Sequence, residues 1–117
     1  PCVGDLNNDG RLDVVMANYG PPALFLKQSD GWRDVAPEWG IAVDGRSDAC
    51  VFGDVNHDGA LDLYLNGTVT GGRNWPDYLY VQKANRLVDQ IPQDMAAIPA
   101  DHGALLHDFN GDGALDL

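Results

Sequence analysis

Apolar residues fall in short runs along this chain, and each run is stopped by turn-forming residues. Val14-Val15-Met16-Ala17 gives way to Asn-Tyr-Gly-Pro-Pro, and Leu63-Tyr64-Leu65 to Asn-Gly. Runs this short, partly β-branched or aromatic, predict strands buried on both faces rather than helices. In the second half of the chain the pattern predicts four strands, at 49–55, 61–66, 78–82 and 86–91, with a tight turn at 83–85. The first half follows the same order, with strands after residue 13, at 23–27 and at 32–35, and only residues 1–4 standing for the opening strand. Residues 103–107 supply the opening strand of a third set.

Between the first and second strand of each set lies one phrase, D-x-N-x-D-G-x-L-D, at 5–13, 54–62 and 108–116. Oxygen-bearing side chains at positions 1, 3 and 5 alternate with residues that point away, so a curled backbone can aim three of them at one centre. Gly at position 6 permits the sharp turn, position 7 can offer its carbonyl, and the Asp at position 9 closes the cage. This is a loop for a hard, oxygen-seeking cation such as Ca²⁺. An EF-hand shares the first half of the pattern, but it needs a Glu at position 12 and flanking helices. Position 12 here is Met16 or Leu65, so the loop joins two strands.

Loop starts are 49 and then 54 residues apart, and the similarity continues beyond them. Ala23-Leu24-Phe25-Leu26 matches Tyr78-Leu79-Tyr80-Val81, and Gly31-Trp32-Arg33-Asp34 matches Arg86-Leu87-Val88-Asp89, both at an offset of 55. Four short strands in a period near fifty predict an all-β architecture, a fragment of a β-propeller with about two four-stranded antiparallel blades. The repeats divide as 1–48, 49–102 and 103–117, the first and third truncated. On this reading both termini fall inside a repeat, and the remaining propeller blades belong to a longer parent chain. The second repeat carries a six-residue insertion within 67–77, at the rim opposite the cation loops. That rim is expected to vary freely and to present Arg73, Asn74 and Trp75 with Glu38, Trp39, Arg46, Asp101 and His102.

Charge supports the loops. Of the chain's 117 residues 18 are acidic, giving a net charge of -11, and nine of those 18 are the loop aspartates. Three bound Ca²⁺ would bring -11 to -5. Seven scattered Lys and Arg give no footprint for nucleic acid, and no apolar run is long enough to span a membrane. Cys2 and Cys50 lie three and four residues before their loops, so on equivalent strands they point to opposite faces, and both read as buried free thiols. Asn66-Gly67-Thr68 fits a glycosylation acceptor. Loops with a neutral Asn at position 3 suit the millimolar calcium outside cells, which predicts an extracellular, periplasmic or surface location.

The segment 52–63 resembles the FG-GAP or VCBS repeat of integrin-α-type propellers, and the longer phrase running through Asn18-Tyr19-Gly20, Leu24-Phe25-Leu26, residues 30–35 and Trp39-Gly40-Ile41 is similar to proteins of the cartilage-acidic-protein type. The resemblance implies a propeller of about seven or eight blades with Ca²⁺ in the hairpin between the first two strands of each. Carried over by residue, it implies ligands from the Asp5, Asn7, Asp9 and Asp13 side chains with the Arg11 carbonyl. In the second loop they are Asp54, Asn56, Asp58 and Asp62 with the Ala60 carbonyl, and in the third Asp108, Asn110, Asp112 and Asp116 with the Ala114 carbonyl. Two departures stand out: His107 replaces the Gly before the third loop, and 86–89 lacks the Gly-x-aromatic lead of its counterpart. The resemblance leaves the partner open, because the repeat serves adhesion proteins, lectins and polysaccharide-degrading enzymes. A non-catalytic, calcium-stabilised segment whose free rim binds a protein or glycan is the expectation. The alternatives are the propeller part of a carbohydrate-active enzyme, or plain Asp-rich turns without metal.

Overall fold

The computed structural model describes residues 1–41, 44–96 and 102–117. Two four-stranded antiparallel sheets dominate it, each a meander of the kind that forms a propeller blade. The first blade is β1 (Cys2–Gly4), β2 (Asp13–Met16), β3 (Ala23–Gln28) and β4 (Gly31–Asp34), paired in chain order. After it come the single helical turn α1 (Ala36–Trp39) and the second blade, whose first two strands are β5 (Ser47–Gly53) and β6 (Asp62–Gly67). A small hairpin, β7 (Val69–Thr70) with β8 (Arg73–Asn74), forms the insertion, and β9 (Tyr78–Gln82) and β10 (Leu87–Asp89) complete the blade.

The offset of 55 is visible in the register: Phe25 pairs with Asp34 as Tyr80 pairs with Asp89. Asp34 and Asp89 also act alike, each accepting the N–H of the residue two positions on, at 3.0 and 3.1 Å. Every residue of β6 is buried, as its apolar run requires. In the third repeat only a single bridge, His107 with Asp116, stands where a strand is expected.

The blades stack face to face. Leu6, Val15 and Leu24 of the first blade and Leu63 of the second are all fully buried in one cluster. At roughly 1.5–3 kcal/mol for each such side chain, this cluster dominates the contact between repeats. A second device sets the spacing. Leu61, at position 8 of its loop, lies so close to Gly4 that a Cβ there would sit 2.9 Å from its Cδ1. Leu115 repeats the relation at Gly53, at 2.8 Å. Gly4 and Gly53, the residues before loops 5–13 and 54–62, are therefore sockets for a leucine of the following repeat, and an added side chain would press on it.

Two expectations are corrected here. Cys2 and Cys50 are joined in a disulfide, with their Cα atoms 5.7 Å apart, and are not free thiols. They do lie on opposite faces of equivalent strands, but stacked blades bring the forward face of one against the backward face of the next. Opposite faces are what a bridge between neighbours needs. Asn66 is fully buried, and its side-chain oxygen accepts the Ala49 N–H at 2.7 Å, so it cannot receive a glycan in the folded chain. The turn α1 also went unforeseen. Pro37 starts it, Gly40 ends it in the left-handed region at φ 91°, and it drives Ala36 and Trp39 into the core.

Candidate cation loops and the opposite rim

The three loops share one conformation. Position 4 is left-handed in each (Asn8 φ 56°, His57 φ 58°, Gly111 φ 78°), and so is the Gly at position 6 (φ 84°, 86° and 90°). The resulting curl turns side-chain oxygens inward onto the loop's own amides. Asp5 accepts the N–H groups of Asp9 and Gly10 at 2.9 and 2.8 Å, and Asp54 accepts those of Asp58 and Gly59 at 3.0 and 2.9 Å. Asp108 does the same with Asp112 and Gly113, at 3.1 and 2.8 Å. The Asn at position 3 accepts the position 5 N–H, and Asp9, Asp58 and Asp112 each accept the N–H of position 7.

Position 9 behaves differently. Asp13 and Asp62 are fully buried beneath their loops. The oxygens of Asp13 take the N–H of Leu6 and of Lys27, both at 2.9 Å, and those of Asp62 take Val55 at 2.9 Å and Gln82 at 2.8 Å. Asp116 accepts Phe109 at 3.0 Å. Asp13 and Asp62 thus staple the start of their loops to the third strand of their own blades. Among the described residues no three His, Cys, Asp or Glu side chains are gathered as a metal cage.

The donor set nevertheless fits a hard divalent cation. Each loop offers oxygen alone, with three carboxylates, one amide and a carbonyl, and no nitrogen or sulfur ligand. A carboxylate has about four acceptor sites, and the two N–H groups on Asp5 and on Asp54 leave room for an ion. The loop carboxylates also sense one another. Burial pushes the Asp62 carboxyl above its usual range, the Gln82 and Val55 N–H groups pull against that, and the charges of Asp58 and Asp54 add to the rise. Calcium would supply the positive charge that relieves both effects.

At the opposite rim the segments are stitched rather than free. Gly20 N–H reaches Gly45 O at 2.8 Å, Ser47 N–H reaches Asn18 O at 3.0 Å, and Thr68 N–H reaches Arg46 O at 3.1 Å. Arg46 lies over the exposed Tyr19 ring at 5.2 Å, and Arg73 over Trp75 at 3.9 Å. Asp48 meets His102 Nδ1 at 2.9 Å and is also bonded to Thr68 and Tyr19. Of the predicted rim residues, Trp39 belongs instead to the core and Glu38 pairs with Arg33 at 2.6 Å, while Asp101 lies outside the described residues. Tyr19 and Asp48 were missed. The signal for Tyr19 was available, since the loop between its strands must emerge on the same rim as residues 67–77.

A model of the FG-GAP-like repeat matches residues 5–65, from the first loop through the second and into β6. The chain belongs to the FG-GAP-like repeat family. This FG-GAP-like chain is also similar to cartilage acidic protein 1 of Homo sapiens, with 27% identity over 127 residues, and of Xenopus tropicalis, with 26% over 126. Each alignment covers 99% of this chain but 19% of the relative, so the chain spans about a fifth of the length of these proteins.

Proposed function

We propose that this chain is a non-catalytic, calcium-binding propeller segment of a secreted or surface-exposed protein, in which Ca²⁺ fixes the blade hairpins and the opposite rim binds a protein or a glycan. The observation that carries this reading is the repetition of one loop conformation with an all-oxygen donor set in three places. Without metal, carboxylates about 5–6 Å apart repel by roughly 1–3 kcal/mol per pair at surface-like dielectric. An ion held only by the folded loop adds about 2.7 kcal/mol when free calcium is a hundred times its dissociation constant. The Cys2–Cys50 disulfide supports an oxidising compartment. No helix among the described residues is long and apolar enough to cross a membrane.

One buried carboxylate of the second blade is already engaged in holding the fold. Asp77, in a cavity of about 340 Å³, uses its oxygens to accept Tyr64 Oη–H at 2.8 Å and Gly67 N–H at 2.5 Å. Further blades are the natural cover for Leu12, which occupies the same loop position as Leu61 and Leu115 and is 62% exposed. The test is calcium calorimetry on the chelator-stripped chain with thermal melts in parallel. Two or three sites of micromolar to millimolar affinity with a rising melting temperature support the reading, and absence of both heat and shift overturns it.

A further inference from the structure

Loops 5–13 and 54–62 are tied to each other by hydrogen bonds that cross from repeat to repeat. At the surface Asn8 Nδ2–H donates to the Gly59 carbonyl at 3.1 Å. Beneath the loops, Gln82 makes a deeper connection. Its side-chain Nε2–H donates to the Leu6 carbonyl at 2.9 Å, and its backbone N–H donates to Asp62 Oδ1 at 2.8 Å. The Leu6 N–H is in turn held by Asp13 Oδ2 at 2.9 Å. A path of contacts therefore runs from Asp13, at position 9 of one loop, through the two peptide groups that flank Leu6 and through Gln82 to Asp62, at position 9 of the other.

All four residues are buried: Asp13, Leu6 and Asp62 fully, and Gln82 to within 6%. Hydrogen bonds are stronger in such surroundings, so each link resists displacement of the residue it holds. Gln82 also carries a cost. Its Oε1 is buried and has no hydrogen-bond partner among the described residues, a penalty that an apolar side chain of the same length avoids. The bond to Leu6 is what the amide provides against that cost. Lys27, at the equivalent position of the first blade, instead places its ammonium 4.8 Å from the Trp32 ring.

We propose that Gln82 couples cation binding in loops 5–13 and 54–62, so that filling either one raises the affinity of the other. This rests on the calcium reading above. With Asp62 fixed, the Gln82 backbone is fixed, its amide is held on the Leu6 carbonyl, and the position of Leu6, whose own N–H orients Asp13, is set with it. The second loop then binds with less ordering left to do. Gln82 is not among the residues assigned as ligands and acts as a positioning residue, and the coupling is the same whichever loop fills first.

The experiment is a calcium titration by calorimetry in an Asp112→Ala background, which silences the third loop. Asp58→Ala leaves only loop 5–13 and Asp9→Ala only loop 54–62. The product of the two affinities in the parent is expected to exceed the product of the single-loop affinities by about fivefold or more. With Gln82→Met the factor falls to about one, while single-loop affinities stay within roughly twofold. Hydrogen exchange gives a readout that does not depend on that variant folding. In Asp9→Ala, calcium in loop 54–62 slows exchange at the Leu6 amide. Absence of all calcium heat overturns the calcium reading and this proposal with it. Binding at both loops with a factor of one, a factor unchanged by Gln82→Met, or a Leu6 amide indifferent to calcium overturns the coupling alone.

Discussion

Replacing Asp62 with asparagine separates what the ninth loop residue does for the fold from what it does for a cation. The Asp62 carboxylate is fully buried and accepts two backbone N–H groups, from Val55 and Gln82, at 2.9 and 2.8 Å. An asparagine has one acceptor oxygen, so its NH₂ must face one of those donors and leave it unpaired, at a cost of about 1–3 kcal/mol. The surviving bond loses its charge assistance, which roughly halves it. Against this, the variant removes a buried charge whose ionisation burial opposes. The net expectation is a loss of about 2 kcal/mol in chelator, read as a lower urea midpoint with unchanged slope. Asp58→Asn is the comparison. Its residue is exposed and accepts the Ala60 N–H at 2.9 Å, which asparagine can still do, so the chelator midpoint moves by less than about 0.5 kcal/mol. In calcium both variants lose stabilisation relative to the parent. An Asp62→Asn midpoint within about 0.5 kcal/mol of the parent in chelator refutes the staple.

Three further outcomes follow from particular contacts. Gly53→Ala puts a methyl 2.8 Å from Leu106 and Leu115 and is expected to cost about 1–3 kcal/mol in urea unfolding, partly restored by Leu115→Ala; a neutral Gly53→Ala contradicts the socket. Reduction of Cys2–Cys50, which closes a separation of 48 residues, is expected to remove about 4 kcal/mol, and identical melts with and without reductant contradict the bridge between blades. Desolvation pushes the Asp48 carboxyl up, but bonds to His102, Thr68 and Tyr19 outweigh it and hold it below the usual range. Its contribution is therefore present above the ordinary carboxylate value near pH 4 and is lost as pH falls through the lower folded value, so Asp48→Asn flattens the acid limb of the stability profile.

Most of the blade was legible because its signals are local. The run Tyr78 to Gln82 forms a strand with the expected bounds, and the spacing of Asp, Asn and Gly specifies a left-handed curl wherever it occurs. What escaped depends on how repeats meet. A single sheet says that Cys2 and Cys50 face apart, and only stacking turns that into contact. The bonds of Asp13 and Asp62 to the Lys27 and Gln82 amides also went unread, since nothing nearby in the sequence marks those amides as their partners. The reach of Gln82 to Leu6, across 76 residues, leaves no trace in either segment. The turn α1 was missed despite a local signal, the Pro37 and Gly40 that bracket it.

The most direct measurement is the number of calcium ions bound per chain, by equilibrium dialysis at millimolar free calcium with elemental analysis. The account predicts about two or three, falling toward zero when Asp9, Asp58 and Asp112 are all changed to alanine. No calcium above background, or an amount that survives the triple substitution, contradicts the assignment of these loops as cation sites.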